Sequence, residues 1–168
     1  MSASKTNTDF FLRLAGKPAP LAGSWNESLT VAVEAAVENI DEHALSPPAG
    51  RQRFSVLDAK RLLALLSWSY ARELYSSAEI HMRLRRGTTA ELWEGGVPDA
   101  TDIARFRMEN RRALQCCLQV ALRFLAAKKV VEGIVTRINE AYIAAEAARR
   151  IVAAIFIDNT EEEAMALL

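Results

Sequence analysis

The residues around Leu62 to Tyr70 restrict the possible folds of this chain more than any other segment. Helical spacing points their large apolar side chains in nearly every direction around one axis: they are Leu62, Leu63, Leu65, Leu66, Trp68 and Tyr70. A helix that is apolar on most sides has to be surrounded by other elements. We therefore predict a helix from about Asp58 to Leu74, capped by Asp58 or Ser55, at the centre of a multi-helix bundle.

Capping signals and apolar stripes predict more helices on both sides of this central helix, and the sequence shows no convincing β-hairpin or repeat. The predicted segments are a helix from Ser24 to about His43, a helix from Ser76–Ser77 to Gly87, a short piece from Thr89 to Trp93, a long helical run from Asp99 through Leu125, and a last helix from Val130 to Ile157. Two prolines and a glycine make Ser46–Gly50 a loop. The predicted fold class is all-α.

The C-terminal helix is rich in alanine and is predicted to lay one apolar stripe on the bundle. That inward stripe comprises Ile134, Ile138, Ala141, Ala145, Ala148, Val152 and Ile155. The acidic residues 159–168 are expected to fray. The chain then divides into a flexible tail at 1–23, a helical domain at 24–133, and a C-terminal helix with an acidic tail at 134–168.

The charge of the chain is zero overall but unevenly distributed. Residues 51–150 carry 18 basic and 11 acidic side chains, whereas both flanking segments are net acidic. A basic centre is typical of chains that meet a polyanion, but arginines that merely solvate helix surfaces produce the same pattern. Charge alone leaves these two interpretations open.

No feature of the sequence predicts export or membrane insertion. No run reaches the roughly 20 apolar residues of a membrane helix, and Met1–Thr8 lacks the layout of a signal peptide. Cys116 and Cys117 are adjacent and point about 100° apart on a helix, so we predict core thiols rather than a disulfide. We therefore expect a cytoplasmic protein with no membrane partner.

Residues 75–112 have the pattern of a helix-turn-helix module, whose last helix lies in the major groove of DNA. Thr101, Arg105, Met108 and Arg112 share one side of that helix, and arginine matches both guanine and phosphate. The candidate DNA-binding residues are Thr101, Asp102, Arg105, Arg107, Arg111 and Arg112, with Arg83, Arg85 and Arg86 as phosphate contacts. The alternative is a solvated amphipathic helix.

The sequence contains none of the common catalytic or metal-binding motifs. His43 and His81 lie far apart, and there is no CxxC, HExxH or glycine-rich phosphate loop. We interpret Glu161–Glu163 as a solvated acidic tail, because nothing holds these carboxylates in a fixed geometry. We predict no catalytic residue, no metal and no cofactor.

Several motifs follow one another in a fixed order between Leu62 and Arg107. They are a leucine-rich helix with a tyrosine, a Tyr-Ser-Ser turn, a tryptophan followed by Gly-Gly, and then Pro-Asp and Phe-Arg. The positions are Leu65, Leu66, Tyr70, Tyr75, Ser76, Ser77, Trp93, Gly95, Gly96, Pro98, Asp99, Ile103, Phe106 and Arg107. This series resembles the N-terminal domain of InsH-like insertion-sequence transposases of the DDE class, over about residues 20–133.

Two positions depart from the pattern of that family. The arginine that usually follows the paired serines is Ala78 here, and the threonine of the family's Thr-Ile pair is Asp102. Both changes reduce positive charge or polarity where DNA would lie, and they weaken the expectation of DNA binding.

The resemblance implies a catalytic domain with three separated carboxylates that hold divalent metals. Only 35 residues follow Gly133, and they are predicted to be helical. Ile155–Thr160 is similar to the strand that carries the family's first catalytic aspartate, which would correspond to Asp158. The residues after Gly133 are too few to supply the other two catalytic carboxylates. We therefore expect no enzymatic activity.

The leading hypothesis is a stand-alone or truncated transposase N-terminal domain that binds duplex DNA without catalysis. It would regulate or inhibit transposition by occupying element ends, or by pairing with another copy or with a full-length transposase. The rival hypothesis is a helical protein–protein interaction or dimerisation module that no longer binds DNA.

Overall fold

Six α-helices and two short 3₁₀ segments make up most of the computed structural model, which describes residues 23–46, 54–87 and 90–168. The helices are α1 (Gly23–Glu38), α2 (Val56–Ala71), α3 (Ser77–Arg86), α4 (Ala100–Glu109), α5 (Arg111–Val131) and α6 (Glu140–Ala166), and the 3₁₀ segments are Glu42–Ala44 and Ala90–Leu92. The described part of the chain contains no strand. The all-α bundle with a long C-terminal helix is confirmed.

The central position of α2 is also confirmed. Every residue of α2 from Leu62 onward is buried, and α2 packs against α1 and α5, with further contacts to α4 and α6. The core around it is made by Leu29 and Val33 of α1, Ile80 and Leu84 of α3, Ile103 and Phe106 of α4, and Leu114 and Leu118 of α5. Burying each of these side chains contributes about 1.5–3 kcal/mol, so the bundle is held mainly by this cluster.

Most of the predicted helix starts are confirmed by side-chain caps. Ser55 caps α2 in a capping box with Asp58, and Asp99 caps α4 in the same way with Asp102. Ser76 caps α3, which ends at Gly87 as predicted. The first helix, α1, spans Gly23–Glu38, so it begins one residue before the predicted start at Ser24 and ends before the predicted end near His43. The expected tail and the Pro47–Gly50 turn lie outside the described residues.

The predicted continuous helix from Asp99 through Leu125 is broken at Asn110, between α4 and α5. Asn110 is 3% exposed and has a non-helical backbone, with φ −114° and ψ 26°. Its side-chain amide donates to the carbonyl oxygens of Ser46 and Phe106, and its oxygen accepts from the Ser46 N–H. A short polar side chain that bonds to the backbone competes with the helix, and here it ties the break to a distant segment.

Three expectations for the C-terminal helix are wrong. Gly133, at φ 74°, follows the end of α5, so α6 starts only at Glu140, where Asn139 caps it. The predicted frayed tail is helical up to Ala166. The buried side of α6 consists of Ile143, Ala147, Ile151 and Ala154, whereas the predicted inward residues Ala141, Ala145 and Val152 are exposed. The side of α6 that faces the bundle is therefore not the predicted one.

Candidate nucleic-acid interface

The two helices of the predicted helix-turn-helix region, α3 and α4, pack against each other. Near the start of α4, the His81 Nδ1 atom lies 2.9 Å from the carbonyl oxygen of Pro98. Near its end, Arg107 Nη1 donates to Ser77 Oγ at 3.4 Å. The start of α3 therefore lies beside the end of α4, and the end of α3 extends towards the opposite end of α4.

The side chains of α4 that were predicted to read bases differ in their surroundings. Thr101 is exposed, and Arg105 is half-buried. Asp102 is not a free contact, because its Oδ2 accepts a 3.0 Å hydrogen bond from the Asp99 N–H within the capping box. Met108 is exposed, and the neighbouring Glu109 places an exposed carboxylate on the same helix.

The structure corrects the prediction that Arg107 contacts DNA. Its side chain is 5% exposed and is covered by α6. Arg107 Nη1 donates to Asp158 Oδ2 at 2.8 Å and to the Tyr70 hydroxyl oxygen at 3.1 Å. Burial raises the pKa of Tyr70 to about 12, so this hydroxyl stays protonated at neutral pH. Arg107 is a structural residue of the interface between α4 and α6.

The same contact ties α6 to the start of α3. Asp158 Oδ1 accepts from the Ser77 N–H at 2.8 Å, and Asp158 Oδ2 accepts from Ser77 Oγ at 2.6 Å. One turn later, Ser76 Oγ donates to Glu161 Oε2 at 2.8 Å. Carboxylates near the start of a helix are stabilised by its exposed N–H groups and dipole. The sequence carried no signal that joins Asp158 to Ser77, because the spacing of apolar residues within a helix does not identify contacts with distant residues.

The remaining arginines of the predicted site lie at the two ends of α4. Arg111 and Arg112 occupy the first turn of α5, just after the break, and Arg85 and Arg86 end α3. All four are exposed, and none forms an ion pair with another residue that the structure describes. Arg83 is also exposed, but it forms a 2.7 Å ion pair with Glu79. The helix break means that Arg112 does not continue the stack of Thr101, Arg105 and Met108.

A second buried network was only partly predicted. Asp58, which is 1% exposed, was expected as a helix cap and is part of one. Its carboxylate also accepts hydrogen bonds from the N–H groups of Glu94, at 3.0 Å, and Gly95, at 2.8 Å. This anchors the segment between α3 and α4 to the central helix and so fixes where α4 begins.

Residues 23–46, 54–87 and 90–168 contain no group of three or more His, Cys, Asp or Glu side chains placed to hold a metal ion. Over the same residues, no helix combines the length and the apolar character needed to cross a membrane. Glu161–Glu163 belong to the last turns of α6.

No protein-family model, curated protein or solved structure matches this chain.

Proposed function

We propose that this protein binds duplex DNA without catalysing a reaction, in the manner expected of a domain that resembles the N-terminal region of insertion-sequence transposases. In this role it regulates or inhibits transposition, by occupying the ends of an element or by pairing with a full-length transposase. The proposed contacts are Thr101 and Arg105 on α4, with arginines beyond each end of this helix. Arg107, which is buried, and Asp102, whose carboxylate is part of the capping box of α4, are not among them.

One observation carries this proposal: exposed arginines, without an ion pair in the described part of the chain, flank a short helix at both of its ends. The 10 residues of α4 span about 15 Å, which is close to the width of the major groove of about 12 Å. Arg85 and Arg86 beyond one end, and Arg111 and Arg112 beyond the other, suit phosphates on the two edges of that groove. Arginine holds phosphate through a planar fork of donors.

The test is fluorescence anisotropy with a labelled duplex from the ends of a neighbouring insertion element and a shuffled duplex of equal length. We expect binding that weakens as salt rises, with a slope of about 0.9 per phosphate contacted. The double variant Arg111→Gln/Arg112→Gln should bind more weakly and lower that slope by about two. Arg123→Gln is the matched control, since Arg123 lies on the same helix and its ion pair with Glu140 is exposed. Salt-independent binding, or equal binding by the double variant and wild type, would exclude the proposed surface.

A second candidate function is a helical interaction or dimerisation module. The observation that favours it is the outward-facing apolar side of α6, where Tyr142 is 66% and Phe156 is 69% exposed. If this alternative holds, the Arg111→Gln/Arg112→Gln variant self-associates as strongly as the wild type, and neither protein binds the duplex. Light scattering and anisotropy on the same variant separate the two functions.

A further inference from the structure

The outward side of α6 carries an apolar stripe that the bundle does not use. We define the outer stripe as Ala141, Ala145, Val152 and Phe156, with Tyr142 at its edge. At 100° per residue it lies on the side opposite the buried Ile143, Ala147, Ile151 and Ala154. Val152 is 51% and Phe156 is 69% exposed. Its intervals of four, seven and four residues keep these side chains on one side of the helix, as in helices that pack against one another.

Two opposite charges border the outer stripe, and their separation specifies the direction in which a second helix would pack against α6. Arg149 and Glu163 are both exposed and lie 14 residues apart on this side of α6. Arg149 pairs with Glu146 in its own chain, but its side chain is still 60% exposed and has donors to spare. A parallel second helix would place each charge against its like, whereas an antiparallel one pairs Arg149 with Glu163 twice.

We infer that α6 packs antiparallel against α6 of a second copy of this chain, with Phe156 on the two-fold axis. Position 156 is the midpoint between Arg149 and Glu163, so the register that pairs these charges also brings the two Phe156 rings together. It places Leu167, which is 89% exposed, against Ala145 of the other copy. A small side chain at Ala145 lets the two helices approach closely.

This inference gives the second candidate function its partner and geometry, and it does not depend on DNA binding. The first test is the mass in solution, by sedimentation or light scattering over a range of concentrations. We expect the mass to rise from the monomer value of 18.6 kDa to twice that value at tens of micromolar. Phe156→Glu should stay monomeric, because it places two like charges on the axis. Val31→Glu, an equally drastic change at a 57% exposed residue of α1, should dimerise like the wild type.

The second test measures direction by disulfide trapping in a Cys116→Ser background, which removes the exposed native thiol. A mixture of Ala145→Cys and Leu167→Cys chains should cross-link under mild oxidation, since the two positions face each other. Ala145→Cys alone should not, because the two copies of position 145 are about 33 Å apart along an antiparallel pair. A monomer at all concentrations, or efficient cross-linking of Ala145→Cys with itself, would overturn the inference. In the second case association through α6 stands but its antiparallel geometry does not, and DNA binding is measured separately.

Discussion

Arg107 of α4 and Asp158 of α6 are 51 positions apart in sequence, and their side chains meet at 2.8 Å in the nearly closed space between the two helices. The ion pair places the positive charge of a predicted DNA-contacting residue inside the protein. It also explains why α6 continues as helix past its last buried apolar residue, Ala154, since Asp158 and Glu161 are held by the start of α3. The C-terminal helix is thereby part of the bundle along much of its length.

Asp158→Ala should lower the free energy of unfolding by about 3–5 kcal/mol, because it leaves the Arg107 guanidinium buried without a counter-charge. Urea denaturation followed by circular dichroism measures this. Glu162→Ala, a change at an exposed residue on the next turn of α6, should stay within about 0.5 kcal/mol of wild type. The double variant Arg107→Met/Asp158→Leu should recover most of the loss. A loss for Asp158→Ala no larger than that of the control would show that the pair does not hold α6.

Asp58→Ala should lower the free energy of unfolding by about 2–4 kcal/mol. The N–H groups of Ser55, Glu94 and Gly95 would then lose their acceptor at a buried site. Asp58→Asn keeps one acceptor oxygen and should lie between this variant and wild type. Calorimetry on the three proteins gives the order of their Tm values. Asp41→Ala, which removes the cap of the exposed Glu42–Ala44 segment, is the comparison and should cost less. Equal losses at Asp41 and Asp58 would contradict the anchoring role.

Glu34 makes stability depend on pH in the opposite sense to a paired carboxylate. Burial, and then the nearby Glu38 charge, raise the pKa of Glu34 above 4.5, and its Oε1 atom is buried with no hydrogen-bond partner among the residues that the structure describes. The folded state therefore binds this proton more tightly than the unfolded chain, and stability falls as pH rises from 4.5 through the raised pKa. Glu34→Gln should raise Tm at neutral pH and have less effect below pH 4.5. An equal shift at both pH values would rule out titration of Glu34 as the cause.

The adjacent cysteines should react very differently. Cys116 is exposed, whereas burial, and then the neighbouring Cys116, raise the pKa of the Cys117 thiol to about 12. The thiolate is the reactive form, so a chromogenic disulfide reagent should titrate one thiol in the folded protein and two after unfolding. The Cys116→Ser variant should show no fast reaction. Rapid reaction of two thiols in the native state would show that the Cys117 thiol is accessible, and would contradict the prediction.

The sequence by itself determined the helical class, the central position of α2, and the starts of α2, α3 and α4. These features follow from local physics: an apolar surface all around one helix requires neighbours, and serine or aspartate side chains satisfy the first free N–H groups of a helix. The helix pattern also placed four of the candidate DNA-binding residues on the surface, where the structure has them: Arg85, Arg86, Arg111 and Arg112.

Only the tertiary structure decided the break at Asn110, the burial of Arg107 and the side of α6 that faces the bundle. Asn110 departs from the helix because residue 46 supplies partners for its amide, and Arg107 is buried because Asp158 neutralises it there. Periodicity identified the apolar residues of α6, but two sides of this alanine-rich helix have similar spacing. Which side packs inward is decided by the contacts of α6 with α2, α3 and α5, and periodicity does not encode such long-range contacts.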